Sequence, residues 1–214
     1  MKSYRTVHNF GWDEIVINKS KFIGYAKPIG SEDEAIEFIN SIRKKHSDAT
    51  HNVYAYVFGE NNSIQRYSDD GEPSGTAGMP VLNVISQEKL KNVAVVVTRY
   101  FGGIKLGTGG LARAYTSGAK IAIESGIIVD KTPLVQVCCS IDYTLLGKVE
   151  NELSKNEYII KSKDFAENVQ ITILCLDENL KTLNELLLNA TNGKCDIVLK
   201  DELWFSVKDG NIIE

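Results

Sequence analysis

VAVVVTRYFGGIKLGTGGL, residues 93–111, decides how the fold of this chain reads. Its first part, residues 93–100, is a run of branched apolar residues without alternation, the pattern of a strand covered on both faces. Five glycines follow, at Gly102, Gly103, Gly107, Gly109 and Gly110. Leu111 then opens an amphipathic segment to residue 124, and Gly126 stands behind it as a stop. The order is strand, Gly-rich loop, helix. A glycine-rich segment of this length inside a compact domain usually carries function.

Working outward toward the N-terminus, residues 79–88 predict a helix. Before it lies YSDDGEPSGTAG, 67–78, too rich in Gly and Asp to be a regular element. Residues 52–58, rich in Val and Tyr, predict a strand. Ser31 with Glu34 forms a capping box ahead of a helix whose apolar stripe is Ala35, Phe38, Ile39 and Ile42. Residues 14–18 and 21–27 read as two tightly joined strands.

Toward the C-terminus the pattern changes. Residues 134–141 are β-rich, and Leu145, Leu146, Val149 and Leu153 then fall on one helical face. A short strand at 157–163 and a turn at 165–168 lead to 169–175, where Val169, Ile171, Ile173 and Cys175 alternate. A helix carrying Leu180, Leu183, Leu187 and Ala190 ends near Asn192-Gly193, and residues 195–207 close as a strand interrupted near Asp201. The series is βαββαβ, a ferredoxin-like split βαβ. The expected class is α+β with two domains, 1–131 and 132–214, joined at 129–133.

Composition bounds the function. The chain has 214 residues, 43% apolar and 24% charged, which is ordinary for globular proteins. MKSYRTVHNFGWDEI has no apolar secretory core, and no apolar run is long enough to span a bilayer. Cys138, Cys139, Cys175 and Cys195 form no C-x-x-C pair, and Cys138 and Cys139 fall on opposite faces of a strand. A cytoplasmic protein with reduced thiols and no membrane partner is expected. Residues 1–132 carry 16 Lys and Arg against 14 Asp and Glu, whereas 133–214 carry 8 against 14. A polyanionic partner should therefore meet the first part.

Two loops hold the candidate chemistry. In the second, glycines feed a helix N-terminus whose free N–H groups and partial positive charge favour an anion. Arg99, Lys105 and Arg113 add fixed charge, and Tyr100 and Phe101 form an aromatic pair of the kind that stacks bases. The bland alternatives are close backbone packing for Gly102, Gly103, Gly107, Gly109 and Gly110, and core packing for the two rings. The first loop, with Asp69, Asp70, Gly71, Glu72, Pro73 and Gly75, offers three carboxylates in four residues. These are read as Asx-turn chemistry beside Arg66 rather than a metal site, on a surface shared with the second loop. Neither a dinucleotide nor a P-loop fingerprint is complete: residues 101–108 separate strand from helix, and Leu106 stands where the P-loop lysine belongs. Gly71-Glu72-Pro73-Ser74-Gly75 is not a nucleophile elbow. His51 heads a strand and reads as a structural hydrogen bond.

With those residues in view, GMPVLNVISQEKLKNVAVVVTRYFGGIKLG (78–107) resembles the signature segment of the IMPACT/YigZ family along its full length, and the flanking YSDDGEPSGTAG and TGGLARAY resemble that family's blocks. The resemblance implies a first domain with the βα fold shared by a small-subunit ribosomal protein and domain IV of elongation factor G. It implies a second domain like domain V of that factor. Eukaryotic relatives regulate translation by competing for the activator of an initiation-factor kinase; they carry another accessory domain, so that partner does not transfer. For bacterial members it implies RNA or ribosome binding. The same fold hosts small-molecule kinases with a Gly-rich loop, which LGTGGLA (106–112) loosely echoes without their flanking Ser and catalytic Asp.

The expectation is a non-enzymatic, translation-linked protein without cofactor or metal, binding RNA or the ribosome through Arg99, Tyr100, Phe101, Lys105, Arg113 and the glycines. The alternatives are a phosphate- or nucleotide-dependent enzyme using the helix start at 109–113 with the acidic loop 69–72, and a protein partner docked on the two loops.

Overall fold

The computed structural model describes residues 2–213. It is mixed α and β, built on antiparallel sheets, and divides into two compact units. The first is Tyr4–Val129 and the second takes in the described chain from Asp130 onward with residues 2–3.

In the first unit, β1 (Tyr4–Val7), β2 (Gly11–Ile17), β3 (Ser20–Pro28), α1 (Glu32–Lys45), β4 (His51–Phe58), β5 (Ile64–Ser68), α2 (Gly78–Gln87), β6 (Val93–Tyr100) and α3 (Gly107–Ser125) follow in order. The sheet runs β2-β3-β6-β4-β5, antiparallel throughout. Strand β6 is central and buried from Val93 to Arg99. Its Ala94 and Val96 meet Phe38, Ile39 and Ile42 of α1 on one face. Val93, Val95 and Val97 meet α2 and α3 on the other. Each such branched side chain contributes about 1.5–3 kcal/mol when removed from water, so the unbroken run is what places β6 between two helical layers. Ser31 caps α1 as expected, its Oγ accepting from Glu34 N at 3.1 Å, while Glu34 reaches back to Gly30 N rather than to Ser31.

Helix α3 lies on β3 through small residues. A Cβ on Gly24 would strike the Gly118 carbonyl, and one on Gly118 would come within 2.8 Å of Val97 Cγ1. Ala114, Ala119 and Ala122 extend this buried stripe.

In the second unit, β7 (Ile128–Ile141), α4 (Leu146–Lys155), β8 (Ile159–Phe165), β9 (Val169–Cys175), α5 (Leu180–Thr191), β10 (Asp196–Lys208) and β11 (Asn211–Ile213) give the ferredoxin-like order β10-β7-β9-β8, with β11 added beside β10. Val149, Leu153, Leu183 and Leu187 cover Val137, Cys139, Ile171 and Ile173. The register of β10 shifts between Leu199 and Glu202, the interruption expected near Asp201. All four cysteines are free, and burial pushes the Cys139 thiol up to about 12 and Cys175 up to about 11.

The structure refines three readings. Helix α3 begins at Gly107, not Leu111, because the buried stripe behind it outweighs about 1 kcal/mol lost at each helical glycine. Residues 129–133, read as the domain boundary, lie within β7, and the two units divide after Val129. Strands β1, β5 and β11 were not read from the sequence. No helix among the described residues is long and apolar enough to cross a membrane.

Candidate functional site

Register places the candidate residues at one end of the first-unit sheet. Lys21, next to the β2–β3 turn, pairs with Tyr100, and His51 pairs with Arg99. The turn at Asn18–Lys19, the end of α1, the segment after β5 and the segment after β6 therefore open at the same end.

The two loops are fastened beneath this surface by one oxygen. Glu72 Oε1 accepts from Arg99 Nη1 at 2.6 Å and from Tyr115 Oη of α3 at 2.8 Å, and His51 Nε2 stands 3.8 Å away. Glu72 and Arg99 are 8% and 5% exposed. The guanidinium sits 5.6 Å from the Phe22 ring and 5.4 Å from the Phe101 ring. Burial, then the Glu72 charge, pushes the Tyr115 phenol far above its ordinary value, so it stays protonated and donates. Arg99 is thus corrected from a surface cation to a buried one, and Glu72 from a loop carboxylate to its counter-ion.

Asp69 and Asp70 also turn inward. Asp69 Oδ1 accepts from Ala77 N at 3.1 Å and Gly78 N at 2.8 Å, capping α2, which has no cap from its own N-cap side chain. Its Oδ2 accepts from Gly75 N at 2.9 Å. Asp70 accepts from Asn52 N at 2.7 Å and Arg43 Nη2 at 2.9 Å, and its carbonyl pairs with His51 Nδ1 at 2.7 Å. This is the turn chemistry read from the sequence, although the cation is Arg43 instead of Arg66. Gly71, Pro73 and Gly75 stay exposed.

The Gly-rich segment is different. Gly102 N donates to Ser20 Oγ at 3.1 Å, and a Cβ there would collide with the Lys19 backbone, so at this position the packing reading holds. Gly103 (φ 84°) and Gly107 (φ 69°) face open space. Phe101 is 47% exposed. Leu106 offers α3 no side-chain cap, and among the described residues no other side chain accepts from the amides of 107–110. Arg113 folds back until its Nη1 is 3.6 Å from where a Gly109 Cβ would stand, and Gly110 would meet Leu106 at 3.1 Å. Lys105, Arg113 and Lys19 are exposed.

Tyr100 belongs to a hydrogen-bonded chain. Its hydroxyl donates to Asp48 Oδ1 at 3.0 Å and is 2.9 Å from His46 Nδ1; His46 Nε2 is 2.7 Å from Tyr25 Oη, which Lys45 Nζ approaches at 3.4 Å. A neutral His46 carrying its proton on Nδ1 satisfies the arrangement with every donor pointing from Lys45 toward Asp48. Burial, then Lys45, lowers the His46 pKa, consistent with that form.

Sequence reasoning missed Lys19, Lys44 and Lys45, and found no Ser or Cys partner for His46. The run Arg43-Lys44-Lys45 was a visible signal, but cations ending a helix normally read as partners of its dipole. It also missed Phe10 and Trp12, 49% and 53% exposed.

Comparison with known proteins finds two family models: "Impact N-terminal domain" over residues 18–123 and "Domain of unknown function (DUF1949)" over 139–194. IMPACT family member YvyE of Bacillus subtilis is 46% identical over all of this chain and 98% of its own length. IMPACT family member YigZ of Escherichia coli is 32% identical over 87% of this chain and 92% of its own. A crystal structure of a hypothetical protein matches with TM-score 0.59 and 29% identity, over 94% of this chain and 98% of the other.

Proposed function

Because the chain belongs to the IMPACT family, we propose that it is a non-enzymatic, translation-linked regulatory protein that binds RNA, free or within the ribosome, at the sheet end described above. One observation carries this reading. The uncapped start of α3 and the exposed Lys19, Lys105 and Arg113 face outward, while Asp69, Asp70 and Glu72 in the adjoining loop are turned inward onto protein donors. The surface left exposed carries Lys19, Lys105 and Arg113 with Asp48 as an exposed carboxylate beside Tyr100, and its backbone amides suit phosphate oxygens. The same inward carboxylates favour binding over turnover, since an acidic loop used for Mg²⁺ or acid–base work would leave oxygens available. Translation is the setting because the family's eukaryotic relatives regulate it.

The test is affinity for single-stranded RNA and for small ribosomal subunits across a salt series. Four phosphate contacts give a log–log slope of about −3, and Lys105→Ala or Arg113→Ala each flattens it by about 0.7. No binding at low salt, or binding indifferent to salt, overturns the reading.

A further inference from the structure

The α1 face of the same sheet carries an aromatic surface that the reading above leaves unused. Phe10 stacks on Tyr25 with centroids 6.1 Å apart and planes at 24°, and Trp12 stacks on Tyr25 at 6.5 Å and 26°. Phe38 of α1 closes against Phe10 edge-on at 6.2 Å. Tyr25 is buried, so Phe10 and Trp12, each about half exposed, form a shelf on an aromatic floor. Burial of one flank of each ring holds it in place while the other flank meets water. Lys45 Nζ lies 4.9 Å from the Tyr25 centroid, and Lys44 beside it is exposed.

The β2–β3 ribbon connects the shelf to the anion-binding end, with the exposed Glu14–Lys21 ion pair between them. Trp12 pairs with Tyr25 and Val16 with Lys21, so the β2–β3 ribbon runs from the Lys19 turn to the shelf. Six residues of strand, Lys19 to Tyr25, span about 20 Å. We propose that Phe10 and Trp12 stack unpaired bases of a strand whose phosphates lie at the Lys19–Lys105–Arg113 end, so that the partner is single-stranded RNA. The proposal rests on the RNA-binding reading and narrows it. Charge separates this occupant from a second copy of the chain: a twofold contact centred on the shelf would set Lys44 and Lys45 against their own symmetry mates, whereas a polyanion is drawn to them. Stacking also tolerates any base, so the rings themselves impose no sequence requirement.

The chain has two tryptophans, so Trp204→Phe leaves Trp12 as the sole indole reporter. In that background, a short oligouridylate should quench Trp12 emission and a duplex of equal length should not. Trp12→Leu and, independently, Phe10→Leu should weaken single-strand binding roughly tenfold or more while leaving the salt slope unchanged, because stacking releases no counterions. Unquenched emission, or unchanged affinity in both variants while Lys105→Ala still weakens binding, overturns the shelf and leaves the cationic end standing. Absence of any RNA binding overturns both. A concentration-dependent dimer abolished by Trp12→Leu assigns the shelf to self-association and likewise ends the proposal.

Discussion

Deleting the Glu72 carboxylate tests the structure at its least visible point. Glu72→Ala leaves the Arg99 guanidinium buried without an anion, its Nε already lacking a partner among the described residues. It also leaves the Tyr115 hydroxyl without its acceptor. Breaking a buried pair by removing one member costs about 3–5 kcal/mol, and the stranded hydroxyl adds to that cost. About 4 kcal/mol, at about 4 °C per kcal/mol for a unit of this size, lowers Tm by about 16 °C. Arg99→Met keeps the apolar stem between Phe22 and Phe101 and removes the charge. The double variant Glu72→Gln/Arg99→Met should therefore melt above Glu72→Ala. Circular dichroism melts of Glu72→Gln, Arg99→Met and the pair give the coupling energy. A coupling below about 0.5 kcal/mol, with the single losses simply adding, would refute the buried-pair reasoning. The folded double variant also decides the role of Arg99: an unchanged RNA salt slope makes it a fastening, and a slope flattened by about 0.7 returns it to the phosphate contacts.

Two further outcomes follow from the same end of the sheet. His46 has its pKa lowered from 6.5 by burial and Lys45, so the fold prefers the neutral ring; the stability this gives is complete above about pH 6.5 and is lost as pH falls through the lower folded value. Urea midpoints should drop over that acid range in the parent chain and drop less in His46→Asn; equal slopes would show that the chain from Lys45 to Asp48 does not need a neutral ring. Gly102→Ala should destabilise more than Gly103→Ala, since the first meets the Lys19 backbone and the second meets only the roughly 1 kcal/mol strain of a positive φ. The reverse order in chemical denaturation would contradict the packing described.

The second unit was legible because its signals are local. Val169, Ile171, Ile173 and Cys175 alternate, both helices carry leucine stripes, and even the β10 irregularity lay near Asp201 as read. The first unit hid its edges. β5, IQRYS, is short, with Gln65, Arg66 and Tyr67 exposed in succession, and nothing in its alternation marks a strand. The first turn of α3 looked like loop because propensity penalises its glycines, whereas packing sixteen residues downstream, as at Ile123, decides the outcome. Arg99 read as a surface charge because its counter-ion lies 27 residues earlier, and only the folded sheet brings the two together. The cations of α1 and the rings of Phe10 and Trp12 were each visible, but their meeting on one face is a property of topology.

The glycine-on-glycine seat of α3 on β3 has a mechanical consequence. With Gly118 notched over Gly24, the helix has no smooth path along its own axis; the next equivalent seat is one turn away, a jump of about 5.4 Å. The amides at its start are therefore held at a set height above the strand ends, like a key cut against a fixed shoulder. On the proposed RNA-binding reading, an incoming strand would meet a receiver that has already lost its freedom, and the ordering entropy of the complex would fall almost wholly on the nucleic acid.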